Sequence, residues 1–342
     1  MSQQPISVVI PSYNRARLIA RAVDSVLAAA LPGDEVIIVD DGSTDNTQQV
    51  LQQYGDRIRR VAGRHAGAGA ARNLGIANAS HSLIAFLDSD DEWAPDKLYL
   101  QRAVMAHMPD ITFCFSDFTC RSPNAPDQPH ASAAWHKDFR PWSEILGPSV
   151  PFSQIAPLPK GREDFQVHKG AALYSLEMFE NYIAAFTLLV RRPLAGDALH
   201  FPEDLPTYED WECFGRLSRN ATCAYLACDT ATQWGHAGPR LTNASHFTNA
   251  TVRLKILDRV WGSDLPFLAN PRHAADLDKL LAEQHLIRTR ALLHDGRMSE
   301  AREELTQVPR SPLLYKVLAM MPAIACKAML AAYSWTALFS DV

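Results

Sequence analysis

The sequence predicts an α/β protein: a mostly parallel sheet flanked by helices, continued by a C-terminal helical extension. Three observations carry this. Over the first 110 residues short apolar runs alternate with stretches of helical spacing, the pattern of βαβ units. Each apolar run is followed by turn-forming, acidic or aromatic residues. From about Thr248 onward the periodicity is helical throughout.

The elements follow in order. Ile6–Ile10 is an unbroken apolar, β-branched run, as a parallel strand covered on both faces requires. Arg17–Ala30 has helical spacing and stops before Pro32-Gly33. Glu35–Val39 reads as the second strand. The helix Asp45–Tyr54 follows, with Ser43 or Thr44 as its N-cap. Ile58–Ala62 is a third strand, Ala70–Ala79 a helix and Leu83–Leu87 a fourth strand. Pro95–Ala106 is a helix with proline in its first turn, where a missing N–H costs nothing. Ile111–Phe115 is a further strand.

Residues 121–160 break the pattern. Eight of these 40 residues are proline, and the segment reads as irregular loop. Regular structure resumes with a strand at Phe186–Val190, a helix at Trp211–Ser218 and a strand at Thr222–Leu226. In the helical extension, Leu286–Leu305 has the look of a helical hairpin turning at His294-Asp295-Gly296-Arg297. The apolar stretch Leu313–Phe339 is interrupted by Lys316, Pro322 and Lys327, so it predicts a buried or membrane-surface helix pair rather than a span.

Composition narrows the class. A formal charge of −5, from 33 basic and 38 acidic residues, gives no electrostatic reason for a nucleic-acid partner. Six scattered cysteines without a C-x-x-C pair point to reduced thiols, not a disulfide scaffold. The opening MSQQPISVVIP has neither a basic n-region nor a long apolar run, which points to a cytoplasmic protein, peripheral to a membrane if the last helices touch one.

In open α/β sheets ligands bind beyond the carboxyl ends of the strands. Those ends read Pro11-Ser12-Tyr13-Asn14-Arg15, then Asp40-Asp41-Gly42-Ser43-Thr44-Asp45, then His65 to Asn73, then Asp88-Ser89-Asp90-Asp91-Glu92-Trp93. Tyr13 offers a ring on which a nucleotide base stacks, and Asp40 an acceptor for a base N–H. Arg72, opening a helix, can neutralise phosphate. The small residues Gly67 to Ala71 allow close approach to the backbone. Asp88 and Asp90 repel each other unless a cation sits beside them, and a hard divalent ion there, Mn²⁺ or Mg²⁺, also takes diphosphate oxygens. Any one of these segments would pass for an ordinary turn or cap; four in register with four strands do not. A nicotinamide dehydrogenase is excluded, because its G-x-G-x-x-G should follow the first strand, where Pro11-Ser12-Tyr13-Asn14 stands.

The segments VVIPSYNR, VDDGSTDNT, HAGAGAARNLGI and FLDSDDEWAPDKL, in this order, resemble the family 2 glycosyltransferases of GT-A fold. The likeness is dense from Ile6 to about Leu100. It resumes more loosely at Asn181–Leu217, through NYIAAFTLLVRR and YEDWECFGRL. It implies an inverting enzyme that moves a sugar from a nucleotide-diphosphate sugar, a UDP-sugar first, to a hydroxyl of a carbohydrate, lipid-linked or other acceptor. It further implies donor contacts at Pro11, Tyr13, Asn14, Asp40, Gly67, Arg72, Asp88 and Ser89, with metal contacts at Asp88 and Asp90 and a further metal or diphosphate contact at His236. Asp210 matches the catalytic base, with adjacent Glu209 as the second choice. The resemblance divides the chain into a glycosyltransferase domain, 1–245, and a helical region, 246–342. Within the first, 1–110 holds the nucleotide-sugar, 121–180 is variable and 181–245 is the acceptor and catalytic half. A non-catalytic sugar-binding protein would need no base at Asp210. A sugar nucleotidyltransferase would want a basic, glycine-rich loop after the first strand, where only Arg15 and Arg17 are basic.

Overall fold

The computed structural model describes residues 4–136, 140–235, 244–308 and 311–332. They belong to two compact units: Met1–Leu205 with Glu209–Gly238, and Pro206–Tyr208 with Pro239–Val342.

The first unit is built on one 11-stranded sheet. Its strands are β1 (Ile6–Ser12), β2 (Glu35–Asp40), β3 (Arg59–Ala62), β4 (Leu83–Phe86), β5 (Glu92–Trp93), β6 (Phe113–Ser122), β7 (Ala125–Gln128), β8 (Ser149–Pro151), β9 (Gln166–Gly170), β10 (Leu189–Arg191) and β11 (Cys223–Trp234). Their order is β3-β2-β1-β4-β10-β6-β11-β9-β8, with β5 on β11 and β7 on β6. Strands β1 to β4 are mutually parallel; β10 is antiparallel to both β4 and β6, and β11 runs parallel to β6. The carboxyl ends of β1, β2, β4, β6 and β11 therefore share one rim. This is the GT-A arrangement that the motifs imply.

The unbroken apolar runs have a simple cause: both faces of the sheet are covered. Ile6, Val8 and Ile10 join one core layer with Ile19, Val23 and Leu98. Val9, Val39 and Phe86 join the other, with Phe201 and Phe214. The helix Ala68–Asn78 lies so close to β1 that a Cβ on Gly75 would sit 2.3 Å from Val9 Cγ1. Gly75→Ala should therefore cost about 1–3 kcal/mol, as overpacking does; unchanged urea denaturation would refute this.

Several sequence readings shift. The second helix is Thr47–Gln52, and neither Ser43 nor Thr44 caps it; Asp45 Oδ1 instead accepts from Thr47 N at 2.9 Å. The fourth helix begins at Lys97, after Pro95. The proline-rich stretch contains strands β7 and β8 and two four-residue helices. Its prolines fit because β8 is a sheet edge and β7 hangs from β6 alone. Strands β6 and β11 run well past their expected ends, carrying Asp117 and Asp229 in their interiors.

The second unit is helical, as expected. His246–Ile256 is capped by Ser245 Oγ, which accepts from Thr248 N at 3.1 Å. Pro271–Asp295 ends at left-handed Gly296, and Met298–Thr306 follows, the hairpin read from sequence. Pro322 separates Leu313–Met320 from Ala323–Ala332. Their inner residues, Tyr315, Leu318 and Cys326, pack with Leu292, Leu293 and Ala301. The expected stretch beyond residue 332 lies outside the described residues. No described helix is long and apolar enough to cross a membrane.

Candidate active site

The rim is assembled by strand register. Ser12 pairs with Asp40 across β1 and β2, and Leu87 N donates to Val9 O at 3.1 Å, so the loops after β1, β2 and β4 emerge together. Pro11 is buried inside β1 opposite Val39. Asn14 holds the first loop to the second: its N–H donates to Ser43 Oγ (2.9 Å), and its Oδ1 accepts from Thr44 N (2.8 Å). Its side chain is thereby committed to loop geometry, at a left-handed φ of 53° that asparagine tolerates.

Tyr13 is 37% exposed and stacks on His65, ring centroids 4.2 Å apart. Asp40 accepts from Ser43 N through Oδ1 at 3.1 Å, while its buried Oδ2 has no partner among the described residues. A buried carboxylate oxygen without a donor is costly; a base N–H arriving over Tyr13 would satisfy it. Asp41, by contrast, is consumed internally by the N–H groups of Ala66 and Gly67. Gly67 has φ 94° and opens the Ala68–Asn78 helix. At Gly69 the close approach is to the chain itself, since a Cβ there would lie 2.5 Å from Pro202 O, whereas a Cβ on Gly67 would meet nothing within 4 Å.

Arg72 is the hub. Buried, it donates from Nη2 to Asp88 Oδ1 (2.7 Å) and from Nη1 to Glu209 Oε1 (2.6 Å). Burial works against its charge, but Asp88, Glu209 and Asp210 outweigh it and hold the guanidinium protonated. The same guanidinium thus ties the D-x-D end of β4 to the start of the Glu209–Ser218 helix. Its two terminal nitrogens are thus paired with carboxylates rather than left open for the phosphate read from sequence. Arg15 Nε lies 3.5 Å from Asp90 Oδ2, and Arg21 Nη2 donates to Asp90 O. Ser89 is buried between the two aspartates.

The carboxylates divide by environment. Glu209 is buried and spent on Arg72. Asp210 is partly exposed; its Oδ2 accepts from Asn181 Nδ2 at 3.1 Å and its Oδ1 from Trp211 N at 2.8 Å. Partial burial, then the neighbouring Glu209 carboxylate, push Asp210 up to about 7, with Arg72 opposing them. Asp88 is raised by partial burial and by Asp90, again against Arg72. Glu177, fully buried behind this helix, is pushed well above its usual range by burial; its backbone oxygen anchors Trp211 Nε1. Asn181 and Glu177 had no assigned role in the sequence, because their partners stand about 30 residues away. His236 lies outside the described residues. Trp234, just before it, is held by Asp91 Oδ1 and Glu92 Oε2.

These features define a protein of GT-A fold, and known proteins agree with that fold. A profile of glycosyl transferase family 2 matches residues 7–182, just over half the chain. The chain belongs to that family. An uncharacterised glycosyltransferase of Nostoc sp. is 46% identical over 97 residues, 27% of this chain and 30% of the relative. The Escherichia coli UDP-Glc:alpha-D-GlcNAc-diphosphoundecaprenol beta-1,3-glucosyltransferase WfgD is 36% identical over 120 residues, 34% of this chain and 47% of the relative. The match thus spans less than half of either relative. Among solved structures, Staphylococcus aureus TarS with UDP-GlcNAc superposes with a TM-score of 0.57 at 19% identity, covering 94% of this chain and 88% of that one. The Pyrobaculum calidifontis mannosyltransferase PcManGT with GDP-Man and Mn²⁺ gives 0.52 at 16% identity, covering 100% and 89%. At such identities the likeness is one of fold.

Proposed function

We propose that the chain is an inverting glycosyltransferase that passes a sugar from a UDP-sugar to an acceptor hydroxyl. The observation that carries this reading is the Arg72 bridge. It brings the D-x-D carboxylates and the Glu209-Asp210 pair to one place, where a donor diphosphate and an attacking hydroxyl would meet. Tyr13 stacks on the base and Asp40 Oδ2 accepts its N–H. Asp210, poised near neutral pH and oriented by Asn181, takes the acceptor proton as that oxygen attacks the anomeric carbon from the face opposite the diphosphate. Glu209, neutralised by Arg72, is the poorer base.

Asp88, Asp90, Glu209 and Asp210 outnumber Arg15, Arg21 and Arg72 by one, and this residual negative charge among oxygen donors fits a hard divalent cation. Asp88 and Asp90 would hold it, with His236 a further ligand. Bound there, Mn²⁺ or Mg²⁺ supplies Lewis-acid screening of the diphosphate. The uridine donor is supported by the UDP-glucose of WfgD and the UDP-GlcNAc bound to TarS, and the metal by the Mn²⁺ of PcManGT. A lipid-linked acceptor is consistent with WfgD and with a run of exposed apolar residues, Leu313, Val317, Met320 and Ile324, suited to peripheral membrane contact.

The test is a donor screen without acceptor. Hydrolysis of UDP-sugars is expected with Mn²⁺ or Mg²⁺ and should cease in excess EDTA. Asp90→Ala should weaken UDP-sugar binding by at least about tenfold, or 1.4 kcal/mol, only when metal is present. Full turnover in EDTA removes the cation from the mechanism, and turnover of GDP-sugars alone removes uridine.

A further inference from the structure

Asp117 in β6 and Asp229 in β11 face each other across a parallel ladder, although aspartate is depleted in strands. Neither belongs to the donor rim. His130, which follows β7 at a φ of 51°, closes over them. Its Nδ1 lies 3.3 Å from Asp229 Oδ1 and 3.8 Å from Asp117 Oδ2, and one ligand atom from each of the three lies within 4.8 Å of the others. Metal–nitrogen and metal–oxygen bonds of about 2.0–2.2 Å give tetrahedral ligand edges of about 3.3–3.6 Å, so little movement would close the set.

The carboxylates are aimed by outer hydrogen bonds, as metal-bound carboxylates are. Asp117 Oδ1 accepts from Phe118 N (2.8 Å) and Ser132 N (3.0 Å), and its Oδ2 from Tyr225 OH (2.8 Å). Asp229 Oδ2 accepts from Thr119 Oγ1 (2.6 Å), and both its oxygens from His130 N (3.2 Å). Charge points the same way: the nearby cation Arg162, whose Nη1 donates to Asp229 O, is paired with Asp96, which leaves the carboxylates of Asp117 and Asp229 for a divalent ion to balance. His130 and Asp229 also line a cavity of about 700 Å³ shared with Ala94, Lys160, Arg162 and Phe165. It shares no residue with the donor rim.

We propose that Asp117, His130 and Asp229 form a second divalent-metal site, with a coordination position open to this cavity. One imidazole with two carboxylates suits zinc better than magnesium or calcium. The ion clasps the end of the β6–β7 hairpin to β11 and completes the cavity wall.

The experiment uses the full chain, stripped with chelator and titrated with Zn²⁺ against a chromogenic zinc indicator. One equivalent should bind besides any ion held by Asp88 and Asp90, and its affinity should fall at least tenfold in His130→Ala and in Asp229→Asn but not in Asp90→Ala. His130 is 64% exposed at its side chain, so its removal should leave the fold intact. Mn²⁺ should compete at least tenfold more weakly; parity overturns the choice of zinc. No zinc retained by the wild type, equal binding by His130→Ala, or loss in Asp90→Ala alone overturns the site, leaving an ion pair or the donor-rim metal.

Discussion

Asp210→Asn is expected to slow sugar transfer by about 10²–10⁴-fold, the usual worth of a general base, while UDP-sugar affinity changes by less than about tenfold. The substitution keeps the shape and one accepting oxygen, which can still take Trp211 N, but its amide nitrogen cannot accept from Asn181 Nδ2 and the charge that accepts the proton is gone. The same assignment fixes a pH dependence. With Asp210 raised to about 7, the carboxyl is protonated below that pH and cannot act as a base, so kcat/KM should rise through neutrality. Because the folded pKa lies above the unfolded one, ionising Asp210 also costs stability: the native state binds the extra proton between about pH 4 and 7, and this contribution is lost as pH rises through 7. Transfer by Asp210→Asn at near wild-type rate, with Glu209→Gln inactive, would move the base by one residue. Normal transfer in both would remove the base from this helix.

How much of this was legible in the sequence depends on where each residue's partner lies. Strands β1 to β4 were readable because residues such as Val8 and Val9 are both buried, on opposite faces, which leaves an unbroken apolar run. The lengths of β6 and β11 were not, since Asp117 and Asp229 interrupt the pattern and the ladder shifts register around Asp229. Strand β7 was hidden by Pro126, which only a marginal strand tolerates. At the site, types and order were readable, but commitments were not. Asn14 and Asp41 look as available as Tyr13 and Asp40, yet the Oδ1 of Asn14 and both oxygens of Asp41 are spent on neighbouring loops. That Glu209 and not Asp210 is hydrogen-bonded to the guanidinium of Arg72, 137 residues earlier than Glu209, is something no local spacing reveals.

Arg72→Met should strongly destabilise the fold of the first unit. Side chains of Arg72 and Glu209 are only 6% and 7% exposed, so removing the guanidinium strands a carboxylate in the interior. Breaking a buried pair in this way costs about 3–5 kcal/mol, a fall in melting temperature of roughly 6–20 °C for a unit of this size. Asp88, 29% exposed at its side chain, can rehydrate and adds less. The diagnostic comparison is Arg72→Met with Glu209→Gln, which removes the stranded charge. It should recover most of the lost stability, as apolar or neutral replacement of both partners commonly does, while sugar transfer stays low because Asp88 and the Glu209–Ser218 helix are no longer tied together. A single Arg72→Met protein that melts with the wild type would show that the bridge contributes nothing to the native state. A double variant that regains full transfer would show that it positions neither the D-x-D carboxylates nor Asp210.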